Sequence, residues 1–169
     1  MKRNRLVLGA AVVALAGAVF VSTLSAGTQN GTLTVTASVA ANCTITAGTL
    51  AFGAYDPIVA NLAANLDQTG SFSVKCTKSG TNMYVTADNG ANASAGQRRM
   101  KNVAGDFLPY LMFTDSGRST AWGTTQAAGI AVAGNGNTSV PLTIYGRIAA
   151  AQDVPVGSYT DTVTMTVNF

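Results

Sequence analysis

The chain of 169 residues contains no histidine and no glutamate, its seven acidic residues all being aspartate, and only two cysteines, four prolines and one tryptophan. Without histidine there is no His-based catalytic triad and no imidazole metal ligand. Two thiols cannot complete a four-cysteine zinc site. Charged residues are 10% of the chain, well below the ~25% of ordinary globular domains. Polarity comes instead from 22 Thr, 18 Gly and many Ala, Ser and Asn, a composition suited to an exported β-protein. The length fits one domain of about 100–200 residues plus a processed segment.

The formal charge of +3 is concentrated at one end. Lys2, Arg3 and Arg5 precede an uncharged apolar run from Leu6 to Val21, and small residues follow through Ala26. This is the pattern of a secretory signal peptide over residues 1–26, and the run is shorter than the ~20 residues a bilayer span needs. Cleavage after Ala26 leaves residues 27–169. These carry seven basic side chains (Lys75, Lys78, Arg98, Arg99, Lys101, Arg118, Arg147) against seven Asp, so the mature chain is neutral. A nucleic-acid role loses its electrostatic basis, and the only membrane association expected is through the cleaved leader. The basic cluster Arg98-Arg99-Met100-Lys101 reads as a solvated loop.

Export makes a disulfide the expectation for Cys43 and Cys76. For their separation of 33 positions, the chain-entropy description gives about 3.5–4 kcal/mol. A redox role lacks both C-x-x-C spacing and a neighbouring base.

Period-two alternation dominates the chain beyond the leader. Strands are expected at 32–39, 71–76, 84–87, 109–114 (apolar on both faces), 140–148 and 160–169, with Asn/Gly/Asp turns such as Asp88-Asn89-Gly90 and Asp115-Ser116-Gly117 between them. Residues 58–67 read as a helical turn or a loop. Short strands separated by turns imply an all-β sandwich or barrel. No catalytic site emerges: the Asp residues read as turn formers, no Ser or Thr has an identifiable base, and Trp122 and Tyr55 read as core or loop anchors rather than sugar platforms. No cofactor is implied, and the chain is not expected to be an enzyme.

The two terminal strands each have one apolar face. Leu33, Val35, Ala37 and Val39 share one side of 32–39; Val163, Met165, Val167 and Phe169 share one side of 160–169. Such a strand must bury that face and pair its edges. Periodicity alone leaves two solutions open: ordinary packing in its own domain, or completion of another copy by β-strand addition. Burial of the four N-terminal side chains is worth about 4–9 kcal/mol.

Several segments carry a family resemblance: Asn42-Cys43-Thr44-Ile45; Leu50 through Pro57 (LAFGAYDP); Cys76-Thr77; Arg98-Arg99-Met100; Leu108-Pro109-Tyr110-Leu111; Trp122-Gly123; Tyr145-Gly146-Arg147-Ile148; Val154 through Val163 (VPVGSYTDTV); and Val167-Asn168-Phe169. Over residues 32–169 the chain resembles the spore coat protein U-like domain family, which includes pilins of archaic chaperone–usher pili. Ala149-Ala150-Ala151-Gln152 departs from the Pro/Gly-containing turn usual there.

The resemblance implies an incomplete immunoglobulin-like β-sandwich, completed by a donor strand from a neighbouring subunit. It divides the chain into signal peptide (1–26), N-terminal donor-strand extension (27–40) and pilin domain (41–169). Leu33, Val35, Ala37 and Val39 are the expected donor side chains. The acceptor groove should be bordered by the strand after Cys43 and by residues 160–169. A periplasmic chaperone is expected to pair along Val163, Met165 and Val167, with the Phe169 carboxylate as an anchor. The implied partners are identical or related pilins arranged head to tail, that chaperone and an outer-membrane usher. The implied product is a surface fimbria for adhesion and biofilm formation. The alternative is a monomeric secreted coat or carbohydrate-binding module with a self-complete sandwich.

Overall fold

A computed structural model describes residues 24–169; most of the expected signal peptide lies outside the described residues. The chain divides into units Met1–Ala37 and Ser38–Phe169. The described part of the first unit, residues 24–37, contains no helix or strand and is exposed throughout.

Within the second unit, regular structure is all strand apart from one short 3-10 turn, Gln126–Ala128. Strands β1 (Cys43–Thr49), β2 (Leu66–Cys76), β3 (Met83–Ala87), β4 (Arg99–Lys101), β5 (Phe107–Pro109), β6 (Leu111–Phe113), β7 (Ile130–Val132), β8 (Val140–Ile148) and β9 (Met165–Asn168) form open antiparallel sheets in the orders β1-β2-β8-β6, β7-β3-β9 and β4-β5.

The long central pair β2–β8 shows why these segments are strands. Alternation puts Phe72, Val74 and Cys76 inward, opposite Ser71, Ser73 and Lys75. On β8, Ile144, Gly146 and Ile148 face inward, with Thr143, Tyr145 and Arg147 on the other face. The register from Leu66↔Ile148 to Val74↔Val140 aligns both apolar faces. It also places Asp67 opposite Arg147, whose Nε and Nη2 donate to the carboxylate at 2.7 and 2.8 Å. A side chain at Gly146 would run into the Phe52 ring, 2.7 Å from an ideal Cβ, so only glycine lets that ring lie against the sheet.

Trp122 joins the layers. Its indole stacks on Phe72 of the first sheet with centroids 5.4 Å apart, and its Nε1–H donates to the Val85 carbonyl of β3 at 2.9 Å. Val74, Val85, Met112, Ile144 and Ile148 complete the buried centre. Cys43 lies directly opposite Cys76 in the β1–β2 register, and the two are disulfide-bonded.

Four sequence expectations need correction. Residues 32–39 form no strand within one chain, because a strand needs a paired edge and their backbone has none among the described residues. The 109–114 run is broken at Tyr110 into β5 and β6, and Leu111 is 41% exposed, so only one face is fully buried. Near the C-terminus only Met165–Asn168 is a strand; Thr160 makes an isolated antiparallel bridge to Lys101, and residues 161–164 between them are irregular. Arg98 is not solvated: it is 7% exposed, and its guanidinium donates to the carbonyls of Ala87, Asp88 and Trp122.

The 58–67 segment is a turn followed by the start of β2. The Asp56 carboxylate accepts the amides of Ile58 and Val59 at 2.9 and 3.1 Å, fixing the turn. The nearby Tyr55 hydroxyl donates to the Ala149 carbonyl and accepts the Gln152 amide, so one side chain sets the 149–152 connection.

Candidate functional site: an open groove between two strand edges

β1 ends one sheet and β9 ends the other, and among the described residues neither outer edge has a strand partner. Between them lies a groove of about 320 Å³. Its floor is apolar because β2, β6 and β8 turn Phe72, Met112 and Ile144 into it. Leu50 and Phe52, on the chain leaving β1, form one wall; Val163 and Met165 form the other. A second cavity, about 740 Å³, shares Leu50, Phe52, Met100 and Tyr159 with the first, so the apolar trough extends past the ends of both strands. Water-filled, this trough is an unfavourable surface.

The groove has one polar station. The Tyr110 hydroxyl donates to Asp161 at 2.7 Å, while Asn92 donates to the same carboxylate through its backbone amide (3.1 Å) and side-chain amide (3.0 Å). Burial first, and the Asp161 hydrogen bond second, push the Tyr110 phenol far above its usual range, so it remains a donor. Beneath this station, burial lowers the pKa of Arg98, opposed by nearby Tyr110, Asp88 and Asp161. These contacts tie the 159–165 wall to the core rather than preparing any group for reaction.

The residues singled out from sequence occupy distinct places. Val163, Met165 and Val167 are half-buried and alternate with exposed Thr162, Thr164 and Thr166. The first two line the groove; Val167 pairs across to Val85. Phe169 lies past the end of β9 and is 58% exposed. Leu33, Val35 and Val39 are 83–88% exposed, and Ala37 is exposed as well. Sequence reasoning misses the groove floor (Phe72, Met112, Ile144), the Leu50–Phe52 wall and the Tyr110–Asp161–Asn92 station as site residues. The inward phase of the β2 and β8 alternation could have indicated Phe72 and Ile144; nothing local marks the polar station. Among the described residues no group of three or more His, Cys, Asp or Glu is arranged to hold a metal ion.

Comparison with known proteins agrees with this architecture. Residues 29–166 match the family model described as the Spore Coat Protein U domain. Protein U of Myxococcus xanthus is 41% identical over 174 aligned positions, covering 95% of this chain and 96% of that protein. Among solved structures, the chaperone–tip adhesion subunit pre-assembly complex CsuC–CsuE, from archaic chaperone–usher Csu pili of Acinetobacter baumannii, matches with a TM-score of 0.53 and 27% identity. That match covers 78% of this chain but only 40% of the chain it resembles.

Proposed function

The chain belongs to the Spore Coat Protein U domain family and is related to chaperone–usher pilus subunits; from that premise we propose that it is a structural pilin that polymerises by donor-strand exchange. Residues 27–40 are the donor extension and 41–169 the acceptor domain, with residues 1–26 removed on export. Leu33, Val35, Ala37 and Val39 of one copy enter the groove of the next, and their backbone pairs with the free edges of β1 and β9. The donor of one copy and the groove of the next are different surfaces, so the contact does not close on itself and generates a filament. The observation that carries this reading is that the chain has both an apolar groove between two edges unpartnered among the described residues and an exposed amphipathic segment.

Before assembly, a periplasmic chaperone occupies the groove, pairing along Val163, Met165, Val167 and Phe169. An outer-membrane usher then exchanges the chaperone for the next subunit. The product is a surface fimbria for adhesion and biofilm formation. Deleting residues 27–40 is expected to leave a subunit that co-purifies with its chaperone but does not join a growing fibre. Fibres of undiminished length from the deletion variant would refute the reading.

A second reading, a secreted coat module that remains a monomer, is favoured by the near end-to-end match to Protein U. It requires that the groove be closed within one chain. A stable, monodisperse monomer of the intact mature chain would select it.

A further inference from the structure

A donor segment covalently joined to the domain that carries a matching groove presents a physical problem for the polymerisation reading, on which this inference rests. A short tether gives the intramolecular site an effective concentration in the millimolar range, above any ordinary subunit concentration. Folding residues 32–39 back onto β1 needs only a turn at Ala40-Ala41-Asn42, and three-residue hairpin loops are common. Unless something prevents it, each subunit would fill its own groove.

The structure contains a device at that turn. The Asn42 amide donates to the Thr77 hydroxyl at 2.9 Å, and the Thr77 amide donates to the Asn42 carbonyl at 2.8 Å. The Thr77 hydroxyl has a single proton, and two carbonyls lie within its reach, Asn42 at 3.1 Å and Ala40 at 3.4 Å. The Asn42–Thr77 backbone hydrogen bond continues the Cys43↔Cys76 register by one residue, and alternate carbonyls of an extended strand face the same neighbouring strand. The contacts of both the Ala40 and the Asn42 carbonyls with Thr77 are those of a chain that runs on along β2 past Cys43. Thr77 follows directly on β2, so this clasp lies on the β2 side of β1, opposite the edge that borders the groove. The Cys43–Cys76 disulfide holds the adjacent position and keeps the two halves of the clasp together.

We infer that Thr77 is a positioning residue for strand exchange: it holds residues 40–42 extended on the β2 side of β1 and so suppresses self-insertion of residues 32–39. Serine preserves the hydroxyl; valine keeps the shape and removes it.

The test uses the full mature chain, wild type against Thr77→Val and Thr77→Ser, each also without residues 27–40. Size-exclusion chromatography gives the monomer fraction at several concentrations, and calorimetry gives the monomer's melting temperature. Thr77→Val is expected to raise the monomer fraction about fivefold, the effect of about one hydrogen bond, and that monomer should melt above the same variant without residues 27–40. Thr77→Ser should behave as wild type. A purely structural role would lower melting equally with and without the extension, and that result overturns the inference, as does Thr77→Ser matching Thr77→Val. If Thr77→Val fails to fold, Thr77→Ala removes the same hydroxyl, and an unchanged monomer fraction there is equally contrary. Wild-type fibres with no response to either variant reject this inference alone. A wild-type chain that never polymerises rejects the proposed function, and this inference with it.

Discussion

Arg98 and Arg99 are neighbours with different physical tasks. Arg98 is enclosed, and its guanidinium satisfies carbonyls from β3, from the turn after it and from Trp122. Arg99 lies half-exposed over the Phe107 ring, 4.0 Å from its centroid. Removing a buried donor leaves its acceptors unpaired at about 1–3 kcal/mol for each group. A half-exposed cation–π contact is worth about 1 kcal/mol or less. Arg98→Met should therefore cost at least about 3 kcal/mol in urea unfolding, and Arg99→Met about a third of that or less. Equal losses would show that the Arg98 contacts are not what holds this part of the core. The sequence RRMK reads as one charged cluster because the partners of Arg98 lie 10 to 24 residues away along the chain. Local pattern cannot reveal a buried cation whose ligands are distant carbonyls. Trp122 is legible because a lone indole in a Thr/Gly-rich chain has few places to go other than the core.

At the scale of elements, the long strands are readable from sequence and the short ones are not. Val140–Ile148 is legible to the residue, and the 71–76 run is the inward-facing half of β2. β4 and β7 have three residues each, too few for a period to register. β1 is rich in Thr, Ala and Gly and is mostly exposed; only the family resemblance points to a strand after Cys43. The N-terminal segment alternates as well as any strand in the molecule yet forms none, because alternation describes a face that wants burial and does not supply the partner.

Two predictions belong to this scale. Val35→Asp should abolish or sharply reduce fibre assembly, while Thr34→Asp should leave it largely intact, as read by sedimentation of polymer. A larger effect of Thr34→Asp would mean that the opposite face of residues 32–39 enters the groove, and equal effects that neither face does. Replacing Cys43 and Cys76 together with Ser should lower unfolding stability by about 3.5–4 kcal/mol, the value for a loop of this length. An unchanged urea midpoint would contradict a stabilising role for the β1–β2 bridge.

For the whole molecule, the absence of histidine becomes a statement about pH. The hydrogen bond from Arg147 holds Asp67 below its ordinary value. The Thr120 and Ser119 amides do the same for Asp115, and the Ile58 and Val59 amides for Asp56. A carboxylate with a depressed folded pKa contributes stability above its unfolded value of about 4. That contribution disappears as pH falls through the lower folded value. Melting temperature should thus be nearly flat from about pH 5 to 8 and drop below about pH 4. A transition centred near pH 6.5 would contradict this, since no side chain in the sequence has its ordinary pKa there.

Assembly by strand exchange depends on one relationship, between the open groove of one copy and residues 27–40 of another. It is measured most directly by adding a synthetic peptide of residues 27–40 to the domain that lacks them and recording binding stoichiometry and melting temperature. The account predicts one peptide per domain, a raised melting temperature, and loss of both effects when the peptide carries Val35→Asp. A domain that neither binds the peptide nor gains stability from it would contradict donor-strand exchange as the way this molecule completes its fold.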